Sequence, residues 1–395
     1  MKKTLLLTVL CMFMVWGFSY AKPVNPIFNH YVAVGDSLTH GFQSGAVDET
    51  RQPNSYPALL AKKMQIEFDQ PLLKFPGYLI NIEDFLKGNI RWWQYYYPIV
   101  GGVRRDNYKN SDILDNFGVT GADIKDGLDT TGKSGGYFKL VLGKDGASMI
   151  DQAIAQKPTF MTFWLGNNDV LGAALSCDTS KLTPIDTFRT RFEKTADRIA
   201  SAMEDNGGTI RGVVLVNVPS VTSIAYLQKV TGPDFAEGSY NPFWMMTPSD
   251  NMMLSPDDIS MINQRTQEVN DEISYVAMAN GWGYVDANAI FKEIKEYGHR
   301  LRDVSGDPTG DRVITAEYLG GLFSLDGVHP SNTGHAVAAN YIIDEINEMY
   351  GVELSHVSEI NTAASDSLLQ HPVDPRNKLD GWVADAIYGV VEIFM

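Results

Sequence analysis

The hydrophobic pattern of the chain alternates between short apolar runs and longer stretches with helical spacing. Nearly continuous apolar runs predict buried strands at residues 31–34, 159–165, 210–218 and 283–286. Apolar residues recurring three and four positions apart predict helices at residues 55–64, 148–156, 183–205, 256–280 and 331–350. Because helices alternate with strands along the chain, we predict a three-layer α/β/α sandwich around a central, mostly parallel sheet.

A long segment after the first helix, at about residues 68–118, exceeds what a crossover between strands requires. It contains the densest aromatic run of the chain, from Trp92 to Tyr97. As an insertion near an active site, the segment could act as a lid or cleft wall. The aromatic residues could instead form a small core of the insertion, which we favour because packing is their commoner fate. The irregular stretch at residues 219–255 could line the other side of the cleft.

Both ends of the chain differ from its middle. Lys2 and Lys3 precede an apolar run over residues 4–18, and Ser19 and Ala21 follow it. This pattern predicts a signal peptide over residues 1–21, so the protein is expected in the periplasm or outside the cell. A retained membrane anchor is less favoured because a span needs ~20 apolar residues. After cleavage we expect no transmembrane segment.

The rest divides into one domain over residues 22–351 and a tail over residues 352–395. The tail is polar up to residue 375 and then carries an apolar stripe over residues 379–394. That stripe predicts an amphipathic helix docked on the domain or on a neighbouring subunit. Membrane contact is a weaker alternative because the charges of the tail are mostly acidic.

Composition narrows the classes of partner. The 395 residues are 44% hydrophobic and 20% charged, and the formal net charge is −16. This composition is ordinary for a globular protein, and so acidic a surface disfavours nucleic-acid binding. Of the two cysteines only Cys177 remains after signal cleavage, so no intramolecular disulfide is expected.

A candidate nucleophile follows the first predicted strand. The apolar run at residues 31–34 ends at Gly35, Asp36 and Ser37. Reacting groups in open α/β sheets gather at the carboxyl ends of strands, which is where Ser37 lies. A serine hydroxyl is a weak nucleophile unless a base removes its proton, so the hypothesis requires a base elsewhere in the chain.

That base is expected near the other end of the chain. His329 could accept the proton of Ser37, and Asp326 could hold its imidazole in the required tautomer. Between them, Gly121 and the sequence Gly166-Asn167-Asn168-Asp169 each follow an apolar run. Backbone amides and an asparagine side chain at such turns are the groups that stabilise an oxyanion.

These motifs resemble the GDSL esterases and lipases, also called SGNH hydrolases. Gly35-Asp36-Ser37-Leu38 matches the first block of the family, Gly166-Asn167-Asn168-Asp169 the third and Asp326-Gly327-Val328-His329 the fifth. Gly121 falls where the second block has its oxyanion glycine. The blocks appear in the order of the family and span residues 31 to about 350.

The resemblance implies an SGNH-hydrolase or flavodoxin-like sandwich and assigns a role to each matching residue. Ser37, Asp326 and His329 would form the catalytic triad. The backbone N–H groups of Ser37 and Gly121 and the side chain of Asn168 would form the oxyanion hole. Asp36 and Gly166 would support these groups, and Asp169 would fix the loop rather than contact substrate.

The sequence therefore predicts a secreted serine esterase or lipase that uses an acyl-enzyme intermediate. Its substrate would be a small-molecule or lipid ester. Three alternatives stay open: a carbohydrate O-acetyl esterase, an acyltransferase with the same triad, and a non-catalytic surface-binding protein.

We expect no cofactor and no metal. His335 lies six residues after His329, but the sequence offers no third ligand. The acidic stretch at residues 303–311 lacks EF-hand spacing, so we expect a polar surface loop there.

Overall fold

The computed structural model describes residues 25–77, 79, 81–90, 114–143, 146–204, 209–233, 235–245 and 252–375. Three sequence predictions lie outside the described residues: the signal peptide, the aromatic run at residues 92–97 and the apolar stripe at residues 379–394. Within the described part of the chain, no helix is both long and apolar enough to cross a bilayer.

A parallel sheet forms the centre of the molecule. The described strands are Tyr31–Gly35 (β1), Asn116–Gly118 (β2), Phe160–Trp164 (β3), Gly212–Val216 (β4), Leu227–Lys229 (β5), Tyr240–Pro242 (β6), Gly283–Val285 (β7), His299–Arg302 (β8) and Pro308–Ile314 (β9). Of these, β2-β1-β3-β4-β7 form, in that order, a five-stranded sheet in which every pair is parallel. The other four pair antiparallel, as β5 with β6 and β8 with β9.

Helices cover both faces of the sheet. The described α-helices are Ser37–His40 (α1), Tyr56–Met64 (α2), Ile82–Leu86 (α3), Asp126–Asp129 (α4), Gly136–Leu142 (α5), Met149–Ala155 (α6), Asn168–Ser176 (α7), Ile185–Glu204 (α8), Pro256–Asn280 (α9), Ala287–Tyr297 (α10), Asn332–Tyr350 (α11), Glu359–Ser365 (α12) and Ser367–Gln370 (α13). Helices α2 and α11 pack against one face, and α6, α8 and α9 pack against the other. The predicted three-layer α/β/α sandwich is confirmed.

The central strands are apolar on both sides because each face carries a helix layer. In β1, Val32 and Val34 belong to the core under α6 and α8, whereas Tyr31 and Ala33 belong to the core under α2 and α11. The same alternation continues in β3 and β4. Successive side chains of a strand point to opposite faces, so an unbroken apolar run fills both cores.

Strand register brings the ends of three neighbouring strands to one level. Gly35 at the end of β1 pairs with Gly118 of β2 and with Trp164 of β3. The segments that follow these strands begin at Asp36, Val119 and Leu165, and they meet at the carboxyl edge of the sheet. The predicted nucleophile and both predicted oxyanion segments therefore share one edge.

The structure differs from the prediction in two segments. Residues 303–311 were expected to be a polar loop, but β9 begins at Pro308 and pairs with β8. Most of β9 is exposed, so its sequence lacks the apolar alternation that signals a strand. Helix α10 was not predicted.

Candidate active site

Ser37 sits at a tight turn between β1 and the four-residue helix α1. A Cβ atom on Gly35 would lie 2.0 Å from Thr39 Oγ1 and 2.8 Å from the carbonyl oxygen of Trp164, so this position requires glycine. Asp36 caps α1 by accepting a hydrogen bond from the Leu38 N–H at 2.9 Å. Ser37 is then the first residue of the helix, and 3% of it is exposed.

The hydroxyl of Ser37 is within hydrogen-bond distance of an imidazole. Ser37 Oγ lies 2.9 Å from His329 Nε2, although the two residues are 292 positions apart in the sequence. The other ring nitrogen, Nδ1, lies 3.0 Å from Asp326 Oδ2. The ring of Phe42 packs against the imidazole with 4.5 Å between centroids. This chain of groups suits proton transfer from Ser37 to an imidazole oriented by a carboxylate.

Asp326 is buried and surrounded by donors. Its Oδ1 accepts hydrogen bonds from the backbone N–H groups of Val328 and His329 at 2.9 and 2.8 Å, and its Oδ2 accepts one from Gly45 at 3.0 Å. Burial alone would raise the pKa of Asp326, but the charge of His329 and these hydrogen bonds bring that pKa below its ordinary value. Asp326 is therefore held as a carboxylate.

The turn between Asp326 and His329 depends on a glycine. Gly327 has φ of +70°, and a Cβ there would lie 2.7 Å from the backbone nitrogen of Tyr226. Its carbonyl oxygen accepts a hydrogen bond from that same nitrogen at 2.8 Å. The close backbone approach fixes the loop that carries both residues.

The predicted oxyanion groups follow β2 and β3. Gly121 has φ of +84°, and Asn168 is the first residue of α7. The side-chain amide of Asn168 donates a hydrogen bond to the carbonyl oxygen of Ala122 at 2.7 Å, which ties the two segments together. Within the described residues, neither the Ser37 N–H nor the Gly121 N–H has a protein acceptor. Both amides are thus available to an incoming oxygen atom.

A second asparagine was missed by the sequence analysis. Asn167 donates its side-chain amide to Asp36 Oδ2 at 2.8 Å. Burial raises the pKa of Asp36 to about 6, while the bonds from Asn167 and Leu38 oppose that rise. The interaction joins residues 131 positions apart, so spacing alone could not reveal it. Asn167 thus supports the acid that caps the helix carrying Ser37.

Asp169 holds the loop after β2 against α7. Its Oδ2 accepts the Ile124 N–H at 3.0 Å. Burial, followed by the nearby charge of Asp123, raises the pKa of Asp169 to about 8. The raised pKa favours the protonated form of Asp169 at neutral pH.

Two further histidines occupy different environments. His40 Nδ1 lies 3.0 Å from Thr120 Oγ1. His335 is fully buried, and burial lowers its pKa to about 3. Among the described residues, neither ring nitrogen of His335 has a hydrogen-bond partner. In the same part of the chain, no group of three or more His, Cys, Asp or Glu side chains is arranged to hold a metal.

A cavity of about 130 Å³ opens beside Ser37 and His329. It extends across the carboxyl ends of β3, β4 and β7, between α10 and α11. Ile290 and Phe291 come from α10, and Val337 and Ala338 from α11. The lining is overwhelmingly apolar.

The sequence of residues 31–342 matches the family model described as GDSL-like Lipase/Acylhydrolase. The chain belongs to this family. As a member of the GDSL family, the protein is a carboxylic ester hydrolase. A search of curated proteins finds no match.

Several solved structures share low similarity with this GDSL protein. LAE5, an alpha/beta hydrolase enzyme from the metagenome of Lake Arreo in Spain, is 15% identical over 81% of this chain and 95% of that chain, with a TM-score of 0.40. Axe2, an acetylxylan esterase from Geobacillus stearothermophilus, is 17% identical over 82% of this chain and 96% of that chain, with a TM-score of 0.37. A variant of Axe2, described as an acetyl-xylooligosaccharide esterase, is 16% identical over 83% of this chain and 97% of that chain, with a TM-score of 0.38.

Proposed function

We propose that this GDSL hydrolase is an exported serine esterase that cleaves carboxylic esters with Ser37, His329 and Asp326. The observation that carries the proposal is the 2.9 Å distance between Ser37 Oγ and His329 Nε2. An imidazole at this distance can remove the hydroxyl proton as the oxygen attacks. The 3.0 Å contact between His329 Nδ1 and Asp326 Oδ2 supports the tautomer in which Nε2 is free to accept that proton.

The reaction proceeds in two halves. Ser37 Oγ attacks the carbonyl carbon while His329 Nε2 takes its proton, and the carbonyl oxygen becomes an oxyanion. His329 then gives this proton to the alkoxide oxygen as the bond between the carbonyl carbon and that oxygen breaks, which leaves an ester on Ser37. Water next attacks this acyl-enzyme as His329 takes a proton from it. Release of the carboxylic acid returns that proton to Ser37 Oγ.

The oxyanion is stabilised by the N–H groups of Ser37 and Gly121 and by the side chain of Asn168. The positive φ of Gly121 and the bond from Asn168 to Ala122 support this assignment, because they fix the two segments relative to each other. Donors held in place before the reaction stabilise developing charge without reorganising.

Catalysis is tested with a panel of p-nitrophenyl esters. We expect Ser37→Ala and His329→Ala to lower kcat by 10³-fold or more, with melting temperatures near that of the wild type. A fluorophosphonate probe should label the wild type at Ser37 and fail to label Ser37→Ala. Retention of the wild-type rate by Ser37→Ala would contradict the proposed nucleophile. Failure of the wild type to react with either reagent would favour a non-catalytic binding protein.

Export is the second part of the proposal and rests on the N-terminal pattern of Lys2 and Lys3, an apolar run and Ala21. Expression in a bacterial host followed by fractionation should place the mature protein in the periplasm or the medium. Mass spectrometry should find Lys22 as its first residue. An intact N-terminus in the cytoplasmic fraction would contradict export.

A further inference from the structure

We propose that the cavity between α10 and α11 binds the acyl chain of the substrate and favours chains of about six to eight carbons over acetyl. This inference rests on the proposed function, because the cavity concerns the substrate only if Ser37 is the nucleophile. It adds to that function a choice of acyl length, which the triad geometry leaves open.

The chemistry of the lining matches an ester bearing a hydrocarbon chain. Polar groups gather beside the nucleophile: Asp36 and Ser37 are neighbours, Asn167 bonds to Asp36, and His329 bonds to Ser37. Beyond them the wall is formed by the aliphatic and aromatic side chains of α10, α11 and the strand ends. Trp164 presents its ring, since its Nε1 already donates to the Asn217 carbonyl at 3.0 Å.

Several residues that line the cavity retain accessible surface. Leu38, Ile290 and Ala338 are half-buried, while most apolar residues of the adjoining core are fully buried. Hydrocarbon that leaves water for such a wall gains free energy in proportion to the area covered. A sugar ring in the same place would lose hydrogen bonds to water without replacement. The apolar half of the ester is therefore assigned to the cavity, and a polar alcohol would remain outside it.

The volume sets the length of the chain. The cavity measures about 130 Å³. An apolar protein cavity of ~150 Å³ holds a benzene molecule, so this space suits roughly six carbons beyond the carbonyl. An acetyl group would place only a single methyl group in the cavity. Each additional buried methylene strengthens binding about fourfold, so the gain from acetyl to hexanoyl is on the order of 10²-fold.

The first experiment measures kcat/KM for p-nitrophenyl esters from acetyl to hexadecanoyl, below the concentrations at which they aggregate. We expect kcat/KM to rise from acetyl to a maximum at hexanoyl or octanoyl and to decline for longer chains. A maximum at acetyl would overturn the assignment. A continued rise to hexadecanoyl would show that the 130 Å³ space does not limit the chain and would also overturn it.

The second experiment fills the cavity. Ala338→Phe places a ring into the space from α11, and Ala287→Leu narrows it from the first residue of α10. For either variant we expect the ratio of kcat/KM for octanoyl to that for acetyl to fall tenfold or more. Ala200→Phe on α8 is the matched control, since Ala200 is also a half-buried helical alanine but does not line the cavity. The control should keep the wild-type ratio. Folded cavity variants with an unchanged ratio would refute the proposal.

Further comparisons distinguish a failure of this inference from a failure of the proposed function. Suppose that Ser37→Ala abolishes hydrolysis but Ala338→Phe leaves the dependence of kcat/KM on acyl length unchanged. This result would refute the proposal that the cavity binds the acyl chain and would leave the serine esterase proposal intact. Hydrolysis that survives Ser37→Ala would refute the proposed function itself.

A series of alkyl acetates tests whether the cavity binds the alcohol part of the ester instead. A rise along that series that Ala338→Phe removes would reassign the cavity and overturn the acyl proposal.

Discussion

The backbone nitrogen of Gly45 lies 3.0 Å from Asp326 Oδ2, the same carboxylate oxygen that faces His329 Nδ1. One oxygen atom therefore orients the imidazole and also anchors the loop that follows α1. A second link runs parallel to it, because the Ser44 N–H donates to Ser324 Oγ at 2.8 Å. The segment carrying Ser37 and the segment carrying His329 are thus joined by bonds that do not involve Ser37 itself.

Asp326→Asn is expected to lower kcat by about 10³- to 10⁴-fold. An amide at this position cannot accept from the Gly45, Val328 and His329 N–H groups and from His329 Nδ1 all at once. It also removes the charge that stabilises a protonated imidazole. The measurement is kcat on a p-nitrophenyl ester, with thermal unfolding to verify the fold.

The matched control is Asp115→Asn, which removes a histidine–carboxylate pair away from the site. His30 Nε2 lies 2.7 Å from Asp115 Oδ1. This variant should lose some stability but keep kcat within a few-fold of the wild type. Equal losses of kcat in the two variants would mean that Asp326 contributes only to the fold.

Asn167→Ala and Asn168→Ala test which of two neighbouring asparagines serves the oxyanion. We expect Asn168→Ala to lower kcat by about 10²- to 10³-fold with a small change in KM. Asn167→Ala removes a hydrogen bond to the buried Asp36, so its main effect should be a loss of about 1–3 kcal/mol in the free energy of unfolding. Urea unfolding and steady-state kinetics on both variants separate these effects. A larger loss of kcat in Asn167→Ala would transfer the oxyanion role to Asn167.

Asp169→Asn should change how stability depends on pH. The pKa of Asp169 is raised from 3.8 to about 8 in the folded protein, chiefly by burial. Between these values the folded state keeps a proton that the unfolded state has released, so stability falls as pH rises from about 4 to 8. Asparagine cannot ionise, so the variant should not show the part of the fall in stability with pH that Asp169 causes.

The measurement is the melting temperature at pH 4.5 and pH 8.5. We expect Asp169→Asn to match the wild type at the lower pH and to exceed it by several degrees at the higher pH. Asp311→Asn, at an exposed position of β9, is the control and should show no such divergence. A variant that is less stable than the wild type at pH 8.5 would contradict the assignment of a neutral Asp169.

His335→Leu should preserve or raise stability. His335 is fully buried, and neither ring nitrogen has a partner among the described residues. Replacing such a group by an apolar side chain of similar size removes a desolvation cost without breaking a bond. Because burial lowers the pKa of His335 to about 3, we also expect the pH profile of kcat to be unchanged above pH 5. A melting temperature several degrees lower, or a shifted profile, would reveal a structural or catalytic role.

The elements that the sequence predicted well are those whose signal is local. The run of apolar residues ending at Gly35 marks β1, and helix α9 spans the predicted residues because Pro256 and the Ser255 cap fix its start. Ala287, Ile290, Phe291 and Ile294 in α10 also recur with helical spacing. Helix α10 supplies one wall of the proposed acyl cavity.

In the candidate site too, some residues could be predicted from local motifs and some contacts could not. Motif order was enough to propose Ser37, His329 and Asp326 and to suggest Gly121 and Asn168. The bonds from Asn167 to Asp36 and from Gly45 to Asp326 could not be predicted, because they join residues 131 and 281 positions apart. Which donor meets which buried acceptor depends on how the loops pack, and spacing along the chain does not determine that.

The separation of 292 positions between Ser37 and His329 has a consequence for synthesis. A nascent chain that has reached residue 320 already contains Ser37, α2 and all five strands of the central sheet. It lacks His329, Asp326 and α11, which forms one wall of the cavity. Under the proposed mechanism such a chain cannot cleave esters, so hydrolytic activity can begin only after the last helix of the sandwich has been synthesised.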